Sequence, residues 1–214
     1  MLMEIGRVAR IIRSHLLQEN PLTYDMSAVI NVCEQCVPHP DWHMLRKLPY
    51  DDITKLNEWL QSIFIEEPPE KPLSGLWFGL FNTTSNNIPV ADMYVGGASH
   101  VDREDSDIEW ASDLDYFPEN NYADSHILAA IYQIAYSSKK GLRNNAEYPL
   151  CLAYGAFAVK RLLKEIDPRI IISGDKKAIV TVGFDDGDYL NIGDMAAEGL
   201  TIRKTNLLQP ELNY

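Results

Sequence analysis

The sequence has few of the residues on which most protein chemistry depends. Its 214 residues include only three cysteines and five histidines. An odd, small number of cysteines does not suggest a disulfide framework, which favours a reducing compartment. Lysine and arginine number 19 against 31 aspartates and glutamates, so the net charge is −12. A chain this poor in positive charge is not expected to bind nucleic acid or an anionic membrane surface.

Long apolar segments are also missing. No run approaches the roughly 18 apolar residues of a membrane span. The first residues contain Glu4, Arg7 and Arg10, which interrupt the apolar region that a signal peptide needs. We therefore expect a cytoplasmic protein.

The common catalytic and metal-binding motifs are absent from the sequence as well. A nucleophile elbow, a glycine-rich phosphate loop and HExxH do not occur. Two weaker alternatives stay open. Zinc is one, since Cys33, Cys36, His39 and His43 are suitable ligand types, although the two pairs are closer together than in most zinc sites. The other is a hydrolase or metal-dependent enzyme of unrecognised type, with its site near residues 96–115. We expect no cofactor.

Hydrophobic periodicity predicts an α+β fold, with an antiparallel sheet, helices packed on one face and an N-terminal helical layer. The predicted division is a helical layer at 1–65, a proline-rich linker at 66–74 and a mixed region at 75–214, together forming one compact domain. Predicted helices are 2–19, 25–37, one beginning near residue 51, 125–138 and 149–164, with Pro149 in the first turn. Predicted strands are 75–81, 90–96, 106–111, 178–184 and 188–193.

One segment concentrates the negative charge. Residues 102–119 contain eight carboxylates and one arginine, a net charge of −7. Polar and apolar residues alternate from Asp105 to Trp110, which predicts a half-buried strand with Ile108 and Trp110 in the core and the carboxylates outward. Adjacent like charges repel each other, and a basic partner would relieve that repulsion. The alternative is a solvated acidic surface that maintains solubility.

Aromatic side chains lie close to these carboxylates in the sequence, and such residues are enriched at protein interfaces. We expect Tyr116 and Tyr122 to be exposed contact residues, and Trp110 to anchor the core. The predicted partner-binding residues are Asp105, Asp107, Glu109, Asp113, Asp115, Tyr116 and Tyr122.

Several short motifs between residues 75 and 193 resemble those of small uncharacterised bacterial proteins, including the immunity proteins that accompany polymorphic toxins. The motifs are GLWFG at 75–79, YVGG at 94–97, DIEW at 107–110, YFP at 116–118, YP at 148–149 and VGFDDGD at 182–188. The resemblance implies a cytoplasmic, non-enzymatic binding protein. Its expected partner is a basic protein such as a toxin domain, and a homo-oligomer stays open.

Overall fold

The computed structural model describes residues 3–102, 108–174, 176–185 and 187–204. These residues contain seven α-helices and a sheet of five strands. The helices are α1 Ile5–Leu16, α2 Leu22–Cys36, α3 Trp42–Arg46, α4 Ile53–Glu66, α5 His126–Ala135, α6 Asn144–Leu162 and α7 Pro168–Ile171. The strands are β1 Gly75–Ser85, β2 Ile88–Ala98, β3 Ala178–Phe184, β4 Tyr189–Ala196 and β5 Gly199–Ile202. The predicted α+β class is confirmed.

The early helices form where the apolar period predicts them. In α1, the side chains of Val8, Ile12 and Leu16 are buried on one face, as expected for an amphipathic helix. In α4, Leu56, Leu60 and Phe64 are buried at the same spacing. The positions of α1 and α4 therefore follow from local sequence, whereas the short helix α3 was not predicted.

The sheet is mixed rather than wholly antiparallel, which corrects one part of the prediction. Its strand order is β2-β1-β3-β4-β5. The β1–β2, β3–β4 and β4–β5 pairs are antiparallel, but β1 and β3 run parallel from Gly75↔Ile179 to Leu80↔Phe184. A parallel pair needs a crossover, and the chain between β2 and β3 supplies it because it contains α5 and α6.

The strand predicted at residues 106–111 is wrong for the part of it that the structure describes. Glu109–Ser112 forms a short 3₁₀ helix instead. The outer edge of β2 is paired with residues that come later in the chain, through the bridges Gly97↔Tyr116 and Tyr94↔Tyr122. The 3₁₀ helix packs near β1 and β2, with Trp110 directly over Gly75. In the described part of the segment, residues 109–112 therefore cover the sheet and do not add a strand to it.

Helix α6 lies at the centre of the molecule, and nearly all of its residues are buried. It contacts the helices α1, α2, α4 and α5 and the strands β1, β3 and β4. The helix begins at Asn144, so Pro149 lies inside it and not in its first turn as predicted. Helix α5 begins where expected, because the Ser125 hydroxyl caps it by accepting from the Leu128 N–H.

A buried ion pair joins the N-terminal helices to α6. The Asp25 carboxylate, 1% exposed, accepts from Arg161 Nη2 at 2.8 Å and lies 2.8 Å from His15 Nδ1. Asn20 Nδ2 donates to the same carboxylate at 3.1 Å. Because the charge is paired and hydrogen-bonded, the burial of Asp25 is explained by structure alone.

Residues from both sides of the proline-rich segment share one hydrophobic core, which includes Ile12, Leu60, Phe78 and Phe157. Helices α5 and α6 cover one face of the sheet, against the alternate β1 residues Leu76, Phe78 and Leu80. We call this the inner face. Within the described residues, no helix combines the length and apolar character that crossing a bilayer requires.

Candidate functional site

Two adjoining pockets next to the edge of β2 are lined by carboxylates. The first, of about 510 Å³, is lined by Glu66, Glu67 and Glu70 together with Asp115. The second, of about 400 Å³, is lined by Asp102, Glu109, Asp113 and Asp115. They share Ser99 and Asp115, so they form one surface, which we call the acidic groove. Lys71 is the one lysine or arginine among the described residues that line it.

Asp115 is held in place by Ser99. The Ser99 backbone N–H donates to Asp115 Oδ1 at 2.7 Å, and the Ser99 hydroxyl donates to Oδ2 at 2.5 Å. The hydroxyl bond is the main cause that lowers the pKa of Asp115, with the backbone N–H adding to it. The carboxylate is therefore negative at neutral pH and fixed in direction, although it is exposed.

The chain after Asp115 is fastened to β2 and to the end of α4. Tyr116 and Gly97 exchange backbone hydrogen bonds of 3.0 and 2.8 Å. The Tyr116 hydroxyl donates to the Glu67 carbonyl at 2.9 Å, and its ring stacks on Phe64. These contacts bring the proline-rich segment next to residues 113–119, so both segments contribute to one groove.

Four aromatic rings lie at the border of the groove, and we call them the aromatic patch: Phe81, Tyr94, Phe117 and Tyr122. Tyr94 lies 5.7 Å from Phe117 and 6.3 Å from Tyr122 between ring centroids, and Phe81 lies 5.3 Å from Tyr122. Phe117 and Tyr122 are 55% and 54% exposed. Phe117 also lines the first pocket of the acidic groove, so the two features are continuous.

The structure brings several of the predicted site residues together. Glu109, Asp113 and Asp115 are exposed and line the groove. Tyr122 is exposed in the aromatic patch, as expected. Tyr116 is 9% exposed, which contradicts its expected exposure, because its ring is needed to pack the segment onto Phe64. Asp105 and Asp107 lie outside the described residues.

Sequence reasoning missed the contribution of the proline-rich segment. Glu66, Glu67 and Glu70 had been assigned to a linker, yet they form one wall of the groove. Phe117 is not among the predicted partner-binding residues, although it connects the groove to the aromatic patch. Three glutamates within five residues were a visible signal, but their position beside Asp115 depends on contacts that are distant in the sequence.

The four candidate zinc ligands lie in different surroundings in the structure. Cys33 and Cys36 are buried in the core, and burial raises the pKa of the Cys33 thiol to about 12. His39 Nε2 contacts the Lys140 carbonyl and His43 Nδ1 contacts that of Pro40. Among the residues that the structure describes, no three histidine, cysteine or acidic side chains are grouped as a metal site.

A hydrolase site near residues 96–115 would need a nucleophile with a base beside it, and Ser99 and His100 are sequence neighbours in that segment. In the described part of the chain, no hydrogen bond links Ser99 to His100, and the Ser99 hydroxyl donates to Asp115 instead. A nucleophilic serine needs a base that accepts its proton and is itself oriented by a third group. The arrangement of Ser99 is that of a positioning contact for a carboxylate.

No protein-family model, curated protein or solved structure matches this chain. Its function is therefore inferred from the geometry of the acidic groove and the aromatic patch.

Proposed function

We propose that this chain is a non-enzymatic binding module that engages a basic protein, and that this partner is a toxin domain which it neutralises. The observation that supports the proposal is the continuity of the acidic groove with the aromatic patch through Phe117. Interfaces combine aromatic anchors with a polar rim, and this surface offers both. The acidic rim would speed association with a basic partner and select against acidic ones.

The rigidity of the surface also supports this function. Asp115 is fixed by Ser99, and the chain after it is fastened to β2 and α4. A surface that is already ordered loses less entropy when it binds. Its described carboxylates come from separate parts of the chain, namely 66–70, Asp102 and 109–115, so the charge distribution depends on the fold and not only on composition.

The test compares two variants with equal net charge. The groove variant combines Glu109→Gln, Asp113→Asn and Asp115→Asn. The control variant combines Glu4→Gln, Glu165→Gln and Glu198→Gln, three exposed carboxylates that do not line the groove. Partners are captured from a lysate of the native cells, and the association rate of the captured protein is measured at low and high salt.

We expect the groove variant to associate about tenfold more slowly at low salt and to lose much of its salt dependence. The control should behave like the unmodified chain. Expression of the captured partner should be toxic, and co-expression of the unmodified chain should restore growth. Equal rates for the two variants would mean that the interface lies elsewhere, and a harmless partner would contradict the neutralising role.

A further inference from the structure

A separate pocket of about 430 Å³ lies on the outer face of the sheet, opposite α5 and α6. Trp77 forms its floor. A methyl group on Gly79 would lie 2.7 Å from Trp77 Nε1, and one on Gly183 would lie 2.7 Å from Trp77 Cη2. These glycines are register partners on β1 and β3. The indole therefore lies across both strands, in space that only paired glycines leave open.

Among the described residues, the pocket walls combine aromatic rings with one carboxylate. The rings are those of Tyr94, Phe117 and Tyr189, and the carboxylate is that of Asp185. Tyr94 lies over Gly79 in the same way, since a methyl group there would be 2.1 Å from its Cε1 atom. Phe117 stands at the border with the acidic groove. The aromatic surface thus continues from the patch into a concave site.

A chain of hydrogen bonds orients the carboxylate. Trp77 Nε1 donates to the Tyr94 hydroxyl at 3.0 Å, and that hydroxyl donates to Asp185 Oδ1 at 2.7 Å. Burial of the Tyr94 hydroxyl, together with its hydrogen bond to Asp185, raises the pKa of Tyr94. Asp185 is itself exposed, so its carboxylate is accessible to a ligand.

The chemistry of the lining favours a flat cation. No lysine or arginine is among the described residues that line the pocket. Aromatic rings attract cations through their electron-rich faces, and Asp185 supplies the opposite charge. A guanidinium group is planar, stacks on aromatic rings and offers several N–H donors to a carboxylate, whereas an ammonium group is more strongly hydrated and costs more to desolvate.

We infer that this pocket receives an arginine side chain of the partner protein, stacked against the aromatic lining with its guanidinium donating to Asp185. The inference rests on the proposed function in one respect, that the arginine belongs to the basic partner. It adds a specific residue type to the general charge complementarity of the groove.

The inference can be tested without the partner. The probe is N-acetyl-L-arginine amide, titrated into the full chain while the indole ¹H–¹⁵N resonance of Trp77 is followed by NMR. Trp77→Phe assigns that resonance. We expect a saturable shift with a dissociation constant in about the millimolar range. The neutral isostere N-acetyl-L-citrulline amide should bind at least about fivefold more weakly.

Two variants localise the effect. Asp185→Asn keeps an oxygen acceptor for Tyr94 but removes the charge. It should weaken binding of the arginine probe about fivefold, while the melting temperature stays close to that of the unmodified chain. Asp113→Asn removes one charge from the acidic groove outside this pocket and should leave probe binding unchanged. This pair separates a local contact from the general negative field.

The inference is overturned if the citrulline probe binds as tightly as the arginine probe, or if Asp185→Asn and Asp113→Asn have equal effects. Either result leaves the proposed function standing, since the partner experiment uses groove residues that the arginine probe does not require. Conversely, a saturable, Asp185-dependent arginine signal would survive a failure to capture any toxin.

Discussion

The two faces of the sheet bury their side chains in different ways. On the inner face, the β1 residues Leu76, Phe78 and Leu80 are buried beneath α5 and α6. On the outer face, Trp77 lies over Gly79 and Gly183 and contacts the cover formed by residues 108–122, while Phe81 packs against Tyr122 in that cover. The inner face is filled by leucine and phenylalanine side chains that pack against helices, while the outer face is covered mainly by aromatic rings.

The inner face therefore contributes mainly to stability, and the outer face is the one available for recognition. The inner face has a complete partner within the chain, so a change there should alter folding. The outer face has only a thin cover, and its rings remain partly accessible in Phe117 and Tyr122. If the comparison is correct, substitutions of similar size on the two faces should have different effects on unfolding and on binding.

The largest effect on stability is expected for Phe78→Ala on the inner face. Phe78 is fully buried, and the loss of a buried phenylalanine costs about 3–5 kcal/mol of unfolding free energy through lost burial and the cavity that remains. Chemical denaturation measures this quantity. A loss below about 1 kcal/mol would show that the inner face can collapse to fill the space.

A smaller loss is expected for Gly79→Ala on the outer face. The new methyl group would lie 2.1 Å from Tyr94 Cε1, so Tyr94 must move away from Asp185. Such overpacking costs about 1–3 kcal/mol, and the Trp77 indole resonance should shift because its acceptor moves. Gly6→Ala is the matched control, since its methyl group meets open space and should leave stability unchanged or slightly improved.

Trp110→Ala should have an intermediate effect. Trp110 is only half-buried, packed on Gly75 and edge-on to Trp77 at 6.4 Å. Partial burial predicts a loss of about 1–2 kcal/mol, below that of Phe78→Ala under the same denaturation conditions. Equal losses for the two variants would mean that the outer cover stabilises the fold as much as the inner core does.

Phe117→Ala should hardly affect unfolding, because the side chain is 55% exposed. We expect a change below about 0.5 kcal/mol in denaturation experiments. Binding of the arginine probe should nevertheless weaken, since the ring lines its pocket. A substantial loss of stability without any loss of probe binding would reverse the roles that we assign to this residue.

The smallest effect is expected for Ser99→Ala, and it depends on pH. Removing the hydroxyl should raise the pKa of Asp115 toward the ordinary value of about 3.9, which carboxyl NMR can follow. Because the pKa of Asp115 is lower in the folded protein than in the unfolded chain, its ionisation stabilises the fold at any pH above the unfolded-state pKa. This stabilisation is lost as the pH falls through the folded-state pKa. The variant should therefore lose about 0.5 kcal/mol or less at pH 7 and less in acid. An unchanged Asp115 pKa would contradict the role given to Ser99.

Local signals in the sequence predicted much of the fold. The helices α1 and α4, the start of α5 near residue 125 and the strands β3 and β4 all depend on neighbouring residues, and each lies close to its predicted position. The parallel pairing of β1 with β3 could not be predicted in this way. It depends on how α5 and α6 cross the sheet, which is a property of the whole chain.

The candidate site was predicted in part for the same reason. Charge density along the chain identified Glu109, Asp113 and Asp115 as exposed carboxylates. The period of two around Trp110 was misleading, since β2 already has a neighbour at its edge and residues 109–112 cover the sheet instead. The glutamates of the proline-rich segment join the groove only through folding, in particular through the Tyr116 contact with Glu67.

The central position of α6 has a consequence for how the protein is made. The N-terminal helices α1, α2 and α4 all pack against α6, yet synthesis reaches the end of α6 only at Leu162. A nascent chain is made from its N-terminus, and apolar surface exposed before its partner emerges promotes aggregation. The surface of α1 that contacts α6 therefore lacks this partner until Leu162 has been synthesised, while its contacts with α2 can form earlier.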